Sequence, residues 1–589
     1  MRVADYIPKF IYDKGVKHVF MLAGGGIMHL TDGLANNKDL KTICLHHEQS
    51  ISMAIEAYAK ITNNFALGYF TSGPGTTNAL TGLAGAWLDS VPCLFISGQV
   101  KKKQSVYKSN IFGLRQIGVQ EINILPIVRS ITKYSAFVDN ADDIRYHLEK
   151  AFYLAKQGRP GPAWLDIPLD IQAASIRPDS LKSFEPEKEL KQDFDLNKIS
   201  QYFRTASRPV ILAGQGVRIS GAIDKLLALA EKKEIPIVTS FLGIDIIESQ
   251  HPCYVGRIGI KGDRAGNLAV QNSDLLIVIG SSLPVAETGY EYKDFAREAK
   301  IIINDIDASS HKRNSIKIDL FIQADAKEFI DKINQLEHNF DKTWLKTCIS
   351  WREKYPVCLP EYEKLKQEIN IYYFIDKLSQ KLDNNDVVVT DAGSAFYAGS
   401  QAIKIKKGVR YITSGGLATM GYSLPASIGI SSAIGNKKVM CITGDGSFQQ
   451  NIQELQTIIH YNLPLKIFVL NNQGYLSIRF TQAKFFQRFI GEGPESGVSF
   501  PDSEKIAKAY GIKFIRAKNN EELGNALDET LKYNGPVICE IICPKDQLII
   551  PSVASEKKPD GTIISKPLED MYPFLDREEF KKNMIIKPL

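Results

Sequence analysis

The sequence predicts an α/β protein of three units, each built on a parallel sheet, and three observations point there. Apolar runs of strand length alternate with longer helical patterns along the whole chain, as parallel strands with helical crossovers require. Such runs fall at 66–71, 93–98, 210–213, 275–280, 300–305, 387–390, 439–443 and 466–470. Two charged, strand-poor stretches divide them: 178–197, with Pro178, Pro186 and a Glu/Lys run at 185–191, and 337–366, with Trp344 and Trp351 as helix anchors. The outer segments also repeat one theme. In the first, a strand ends at Thr71-Ser72-Gly73-Pro74-Gly75, and Val91-Pro92 introduces the next. In the third, a strand ends at Thr443-Gly444-Asp445-Gly446, and Leu463-Pro464 introduces the next. The step from second glycine to proline is 17 residues in one and 18 in the other. Two similar units flanking a different middle one is the expectation. The predicted segments are 1–175, 190–335 and 368–550, with a tail at 551–589.

A chain of 589 residues exceeds what one hydrophobic core organises. Its 44% hydrophobic and 23% charged residues are ordinary for a globular protein. The net charge of +6, from 72 basic against 66 acidic residues, gives no reason to expect nucleic acid or an anionic membrane as partner. No apolar run reaches the roughly 18 residues of a membrane span. Arg2, Asp5, Lys9 and Asp13 interrupt the first stretch, so it does not read as a signal peptide. Eight scattered cysteines without a CxxC pair read as structural thiols of a reducing, cytoplasmic compartment.

The strongest chemical signal runs from Gly444 to Asn472. Gly444-Asp445-Gly446-Ser447 follows an apolar strand and precedes a helical pattern at 448–460. Backbone N–H groups at a helix start favour phosphate, and glycines let the chain approach it. Asp445 adds an anionic oxygen beside that anion, which makes physical sense with a divalent cation between them. Asn471-Asn472 ends the next strand, so parallel pairing would set Asn472 beside Asp445 at the carboxyl edge, where open α/β sheets bind ligands. A carboxylate, an amide oxygen, a backbone carbonyl and two phosphate oxygens suit octahedral Mg²⁺. A Gly-Asp-Gly alone is equally an ordinary turn.

The spacing adds to this. Gly-Asp-Gly followed by 25 residues and then Asn472 resembles the fingerprint of thiamine-diphosphate enzymes. The rest of the chain resembles acetohydroxyacid (acetolactate) synthases in particular, from about residue 3 to 555. The motifs are Gly24-Gly25-Gly26, His47-Glu48-Gln49, Thr71-Ser72-Gly73-Pro74-Gly75 with Thr77-Asn78, and Leu88-Asp89-Ser90-Val91-Pro92. Ser97-Gly98-Gln99-Val100, Arg159-Pro160-Gly161-Pro162, Thr413-Ser414-Gly415-Gly416-Leu417 and Met420-Gly421 continue the set.

The resemblance implies a carboligase using thiamine diphosphate and Mg²⁺. It decarboxylates a 2-keto acid, pyruvate first, and joins the acyl group to a second carbonyl compound. Alternatives are a C–C lyase or hydrolase, a simple decarboxylase, or a non-catalytic scaffold with the same fold. The metal would sit on Asp445, Asn472 and the Gly474 carbonyl, with Gly446, Ser447 and Tyr475 beside the diphosphate. Gly393, Ser394, Ala395 and Phe396 occupy the other diphosphate turn, where the synthases carry Gly-Gln-His. Glu48, opening the helical stretch 49–59, would be the acid that polarises the aminopyrimidine; by itself it could equally be a helix-start carboxylate. Pro74 and Asn78 would line the pyrimidine, the Ala418 carbonyl would accept from its amino group, and Met420 would bend the cofactor. Gln120 would stand near the reacting carbons. His29 is either an ordinary core or surface histidine or an acid–base group facing the same cavity.

Two departures concern the acceptor. Val119 stands where the synthases have Phe, and Thr481 where their selective tryptophan falls; both enlarge the pocket, so an acceptor larger than pyruvate, such as a keto sugar, is expected. The family also implies a homodimer with the site at its interface, often paired into a homotetramer, and an FAD in the central unit. Gly214-Gln215-Gly216 and Asp305 leave room for that FAD, although Ser281-Ser282-Leu283-Pro284 replaces an Asp-Asp-Arg stretch. The tail is expected to fold over an active-site mouth.

Overall fold

The computed structural model describes residues 1–187, 194–313, 315–338, 340–557 and 559–589; positions 188–191 of the charged run in the first divider lie outside them. Among the described residues, eighteen strands form three six-stranded parallel sheets. The first contains β1 His18–Met21, β2 Lys41–Cys44, β3 Ala66–Phe70, β4 Cys93–Gln99, β5 Tyr134–Phe137 and β6 Ala163–Pro168, in the order β2-β1-β3-β4-β6-β5. The second contains β7 Pro209–Ala213, β8 Ile237–Thr239, β9 Tyr254–Arg257, β10 Leu275–Ile279, β11 Lys300–Asp305 and β12 Leu320–Gln323, in the order β12-β11-β10-β7-β8-β9. The third contains β13 Val387–Thr390, β14 Arg410–Ile412, β15 Val439–Gly444, β16 Leu465–Asn471, β17 Lys513–Ala517 and β18 Val537–Ile542, in the order β14-β13-β15-β16-β18-β17.

Counted from its own first strand, the third sheet has the same order as the first, so the repeated theme of the sequence is one topology used twice. The middle sheet has the doubly wound order of dinucleotide-binding folds. The central strands are covered on both faces, which is why they read as unbroken apolar runs: all of Ala66–Phe70 and all of Leu275–Ile279 are buried.

The outer units share a core. Helix Glu48–Thr62 of the first packs on helix Ser423–Ala433 of the third, and one cluster joins Ala54, Ile55 and Phe95 to Ile428, Ile430 and Val389. Both helices are buried nearly all round, as a helix between two sheets must be. Gly429 lies so close to Ala54 that a side chain there would run into the Ala54 carbonyl.

Some elements differ from expectation. The helix after Asp445 starts at the aspartate itself and breaks: Asp445–Gln450 and Glu454–His460 are separate, because Asn451 turns its side chain to other work. In the second divider, helix Lys342–Lys354 buries Trp344 and Trp351 in the middle unit's core. The tail also binds the middle unit: Glu569 accepts from Gln271 (2.6 Å) and Arg297 (2.8 Å), Trp351 Nε1 donates to Asn583 (3.0 Å), and Arg264 donates to the Pro573 carbonyl (2.7 Å). Two short antiparallel pairs precede this strap, Ser552–Val553 with Met571–Tyr572 and Ser555–Lys557 with Ile563–Ser565.

Candidate active site

In the third sheet the chain reverses direction between β13 and β15, which opens a crevice at their carboxyl ends. Two helices start there, Gly393–Ala402 after β13 and Asp445–Gln450 after β15. Gly393 has φ +64, a left-handed conformation in which a side chain would be strained; Ser394, Ala395 and Phe396 are buried behind it.

The register of β15 on β16, with Gly444 opposite Leu470, carries Asp445 to the turn after Asn471. Gly474 N donates to Asp445 Oδ2 at 3.1 Å, and Gly446 N to Oδ1 at 2.8 Å. Burial pushes the Asp445 carboxyl up to about 6, against the pull of the N–H groups of Gly474, Gly446, Gln473 and Asn472. The two asparagines separate cleanly. Asn471 gives its amide to Glu540 (2.9 Å) and takes the N–H of Gln473 (3.1 Å). Asn472 is buried, and its Oδ1 has no hydrogen-bond partner. A buried amide oxygen without a donor is costly unless a cation or donor meets it. A carboxylate under desolvation beside an orphaned amide oxygen is a donor set that fits a hard divalent cation. Elsewhere among the described residues, no cluster of three or more His, Cys, Asp or Glu offers a metal site. A side chain at Gly446 would strike the Tyr475 ring; Ser447 is buried one residue on.

The predicted pyrimidine residues form a second cluster in the first sheet. Glu48 is buried at the first turn of its helix, and Asn78 Nδ2 donates to its Oε2 at 3.0 Å. Gly75 approaches Oε1, so that an added Cβ would lie 3.4 Å from it. Pro74, exposed, begins helix Pro74–Asn78. Gln120 is exposed with φ +57, and its carbonyl backs onto Gly73, beside Pro74. Val119 is 84% exposed, and Thr481 is exposed with its hydroxyl donating to Ser477 O of its own helix (2.9 Å). His29 is half-buried near the start of helix Met28–Ala35.

Ala418 and Met420 lie on the loop from β14 to helix Ser423–Ala433. Ala418 has φ +52, and Gln450 reaches the Met420 sulfur at 3.7 Å. Residues that sequence reasoning missed hold this loop. Asp391 accepts from Gly421 N (2.9 Å), Ser423 N (3.0 Å) and Ser423 Oγ (2.7 Å). Asp89, from the first unit, accepts from Gly415 N (2.9 Å), Gly416 N (2.7 Å) and Lys60 Nζ (2.7 Å), and Lys60 also donates to Thr413 O (2.7 Å). Asn451 ties Gly421 O (2.8 Å) to Gln49 (3.2 Å). Carboxylates that end a strand or precede a Ser-Val-Pro turn were the available signal.

The space of about 450 Å³ beside Asp445 is lined by residues between 445 and 542, and Glu48, Pro74 and Asn78 are not on it. A larger cavity of about 820 Å³ lies at the reversal point of the middle sheet, between β7 and β10. Gly216 and Gly280 meet backbone to backbone on its wall, Asp305 and Arg313 line it, and Asn304 Oδ1 is buried there unpartnered.

Comparison with known proteins agrees with this division. Three models of thiamine pyrophosphate enzymes match in order: the N-terminal TPP binding domain over residues 1–127, the central domain over 196–333 and the C-terminal TPP binding domain over 391–541. The acetolactate synthase large subunit of Cyanidium caldarium is 32% identical over 562 residues, which cover 92% of this chain and 93% of the relative. The acetolactate synthase isozyme 2 large subunit of Escherichia coli (strain K12) is 32% identical over 575 residues, covering 97% and 100%. The large subunit of Porphyra purpurea is 33% identical over 575 residues, covering 94% of each. Three sheets, a split site and this likeness along the whole length lead to one assignment: the chain belongs to the thiamine-pyrophosphate-dependent enzymes, in their acetolactate synthase-like branch.

Proposed function

We propose that this enzyme is a carboligase that decarboxylates a 2-keto acid, pyruvate first among them, and transfers the acyl group to a carbonyl acceptor larger than pyruvate, such as a keto sugar. What supports the larger acceptor is the small side chain at both Val119 and Thr481, each exposed in the structure. Bound thiamine diphosphate supplies the electron sink for breaking and making the bond. The chain supplies the rest. Asp445, Asn472 and Gly474 would hold Mg²⁺, and the start of helix Gly393–Ala402 would face the diphosphate with Gly446, Ser447 and Tyr475. Glu48 would hold a proton at the far ring nitrogen, kept in place by Asn78 and flanked by Pro74. Ala418 O would accept from the ring amine above Met420. Gln120 and His29 would face the reacting carbons.

Because Glu48 does not line the space at Asp445, the pyrimidine side of each site is proposed to come from a second copy of the chain. Exposed Ile111, Phe112 and Val119, with Phe486, Phe489 and Ile490, provide apolar surface for such a homodimer, the unit proposed. The middle cavity is proposed to take FAD, its orphaned Asn304 oxygen supporting a polar ligand; an absorbance spectrum of the purified protein tests this. The short pair at 555–565 is proposed to close the site mouth, with 566–587 as its anchor.

Incubation with pyruvate, with and without a keto sugar, tests the function. The expected result is carboligated sugar and slow turnover without it; rapid acetolactate formation from pyruvate alone overturns the acceptor assignment, and free acetaldehyde as the main product replaces ligation by simple decarboxylation.

A further inference from the structure

The loop that would give two ligands to the metal is held in an unfavourable shape. Gln473 has φ +56 and Gly474 φ +154, conformations that side-chain-bearing residues avoid. One side chain takes up two of its carbonyls. Arg479, on helix Leu476–Phe485, spreads its guanidinium over the outer side of the loop. Its Nη1 donates to Asn472 O (3.2 Å) and Lys545 O (2.5 Å), and its Nη2 donates to Gln473 O (2.9 Å). Its Nε donates to the buried carboxylate of Glu492 (2.5 Å), whose own carbonyl accepts from Tyr475 N (2.7 Å). Any side chain at Gly474 would run into the Arg479 guanidinium and the Glu492 carbonyl.

This fork takes the main-chain carbonyls of Asn472 and Gln473 and leaves the Asn472 side-chain oxygen unpaired, while Gly474 turns its N–H to Asp445. A cation this close to a metal site would ordinarily weaken it; Glu492 offsets the charge, so the geometry is kept without the repulsion. A planar guanidinium holds three carbonyls and a carboxylate at once in fixed directions, one acceptor more than the three donors of an ammonium group can serve.

We propose that Arg479, locked by Glu492, is the positioning residue of the metal loop and sets the affinity of the site for its divalent cation. The proposal rests on the assignment of Asp445, Asn472 and Gly474 as metal ligands. Outer partners of metal ligands typically change affinity about 10- to 100-fold when removed.

The test is the dissociation constant of Mn²⁺, read from the paramagnetic resonance signal of the free ion, in full-length protein saturated with thiamine diphosphate. Arg479→Met is expected to raise it about 10- to 100-fold, with Arg479→Lys and Glu492→Gln in between. Turnover lost in these variants should return with excess Mg²⁺, as it would not after a general structural lesion. Asp445→Asn separates the two ideas. If it leaves Mn²⁺ affinity intact, the ligand assignment fails; if it abolishes binding while Arg479→Met binds as the wild type does, the clamp fails. Should Arg479→Met not fold, wild-type affinity in both Arg479→Lys and Glu492→Gln overturns the clamp.

Discussion

Asn471 and Asn472 carry the same side chain, and the alternation of a strand sends them to opposite sides. One is spent on Glu540; the other is left with a bare oxygen next to Asp445. Sequence alone could name the pair and its distance from Gly-Asp-Gly, because both follow from strand ends, but not the partner that occupies Asn471. Glu48 is the residue on which the proposed chemistry most depends. Glu48→Gln keeps the shape and the Asn78 contact but removes the shared proton. Turnover is expected to fall by at least about 100-fold, with Mg²⁺-dependent cofactor binding by calorimetry within a few-fold of wild type; near-normal turnover would refute the role. Glu287 gives a prediction for stability. Burial pushes its carboxyl up to about 7 against Ser281 and Arg313, from an ordinary 4.5. Between those values the folded chain binds a proton that the unfolded chain releases, so stability falls as pH rises through that window. Glu287→Gln keeps the Ser281 hydrogen bond and removes the titration. Its Tm should gain on the wild type between pH 5 and pH 8, and a gap that does not change with pH would show that the carboxyl is not held neutral.

At the scale of elements, the central strands were legible because they are buried on both faces, and the helix of Glu48 because its start follows a strand and a capping His47. What periodicity could not show was contact between units. Glu56 and Lys60 sit four apart, a spacing that makes surface ion pairs on exposed helices, yet both are buried, with Lys60 also bonded to Asp89, because helix Ser423–Ala433 packs on theirs. The tail was equally opaque: its fixed points are side-chain bonds to residues 260–300 and to helix Lys342–Lys354, which no local pattern encodes. The Asp89 contact carries a prediction. Asp89→Asn leaves the volume but replaces one acceptor oxygen with an amide that opposes a glycine N–H, so the loop carrying Ala418 loses an anchor and Lys60 loses a full charge partner. Leaving a buried donor unmatched costs about 1–3 kcal/mol. The thermal midpoint should fall and cofactor affinity should weaken together; unchanged affinity would mean that the loop is set by Asp391 alone.

The whole molecule poses the question of where one site ends and the next begins. Within a chain, the Glu48 cluster and the Asp445 cluster belong to units that share a core, yet Glu48 is not on the cavity beside Asp445. Helix Glu48–Thr62 is tied to the third unit of its own chain at both ends, by Lys60 on Thr413 O and by Gln49 and Ser50 on Asn451, while Glu48 itself turns to Asn78. If two copies complete each other, Glu48→Gln and Asp445→Asn are each inactive alone but complementary together. A mixed dimer of the two has one site with both defects and one site with neither. Random reassociation of equal amounts makes half of the dimers mixed, each with one intact site, so about a quarter of wild-type activity should return. Mixing after partial dissociation, with turnover followed over time, measures this directly. A site contained in one chain would give no recovery at any ratio, and the split of the two clusters would then have to close by movement within the subunit.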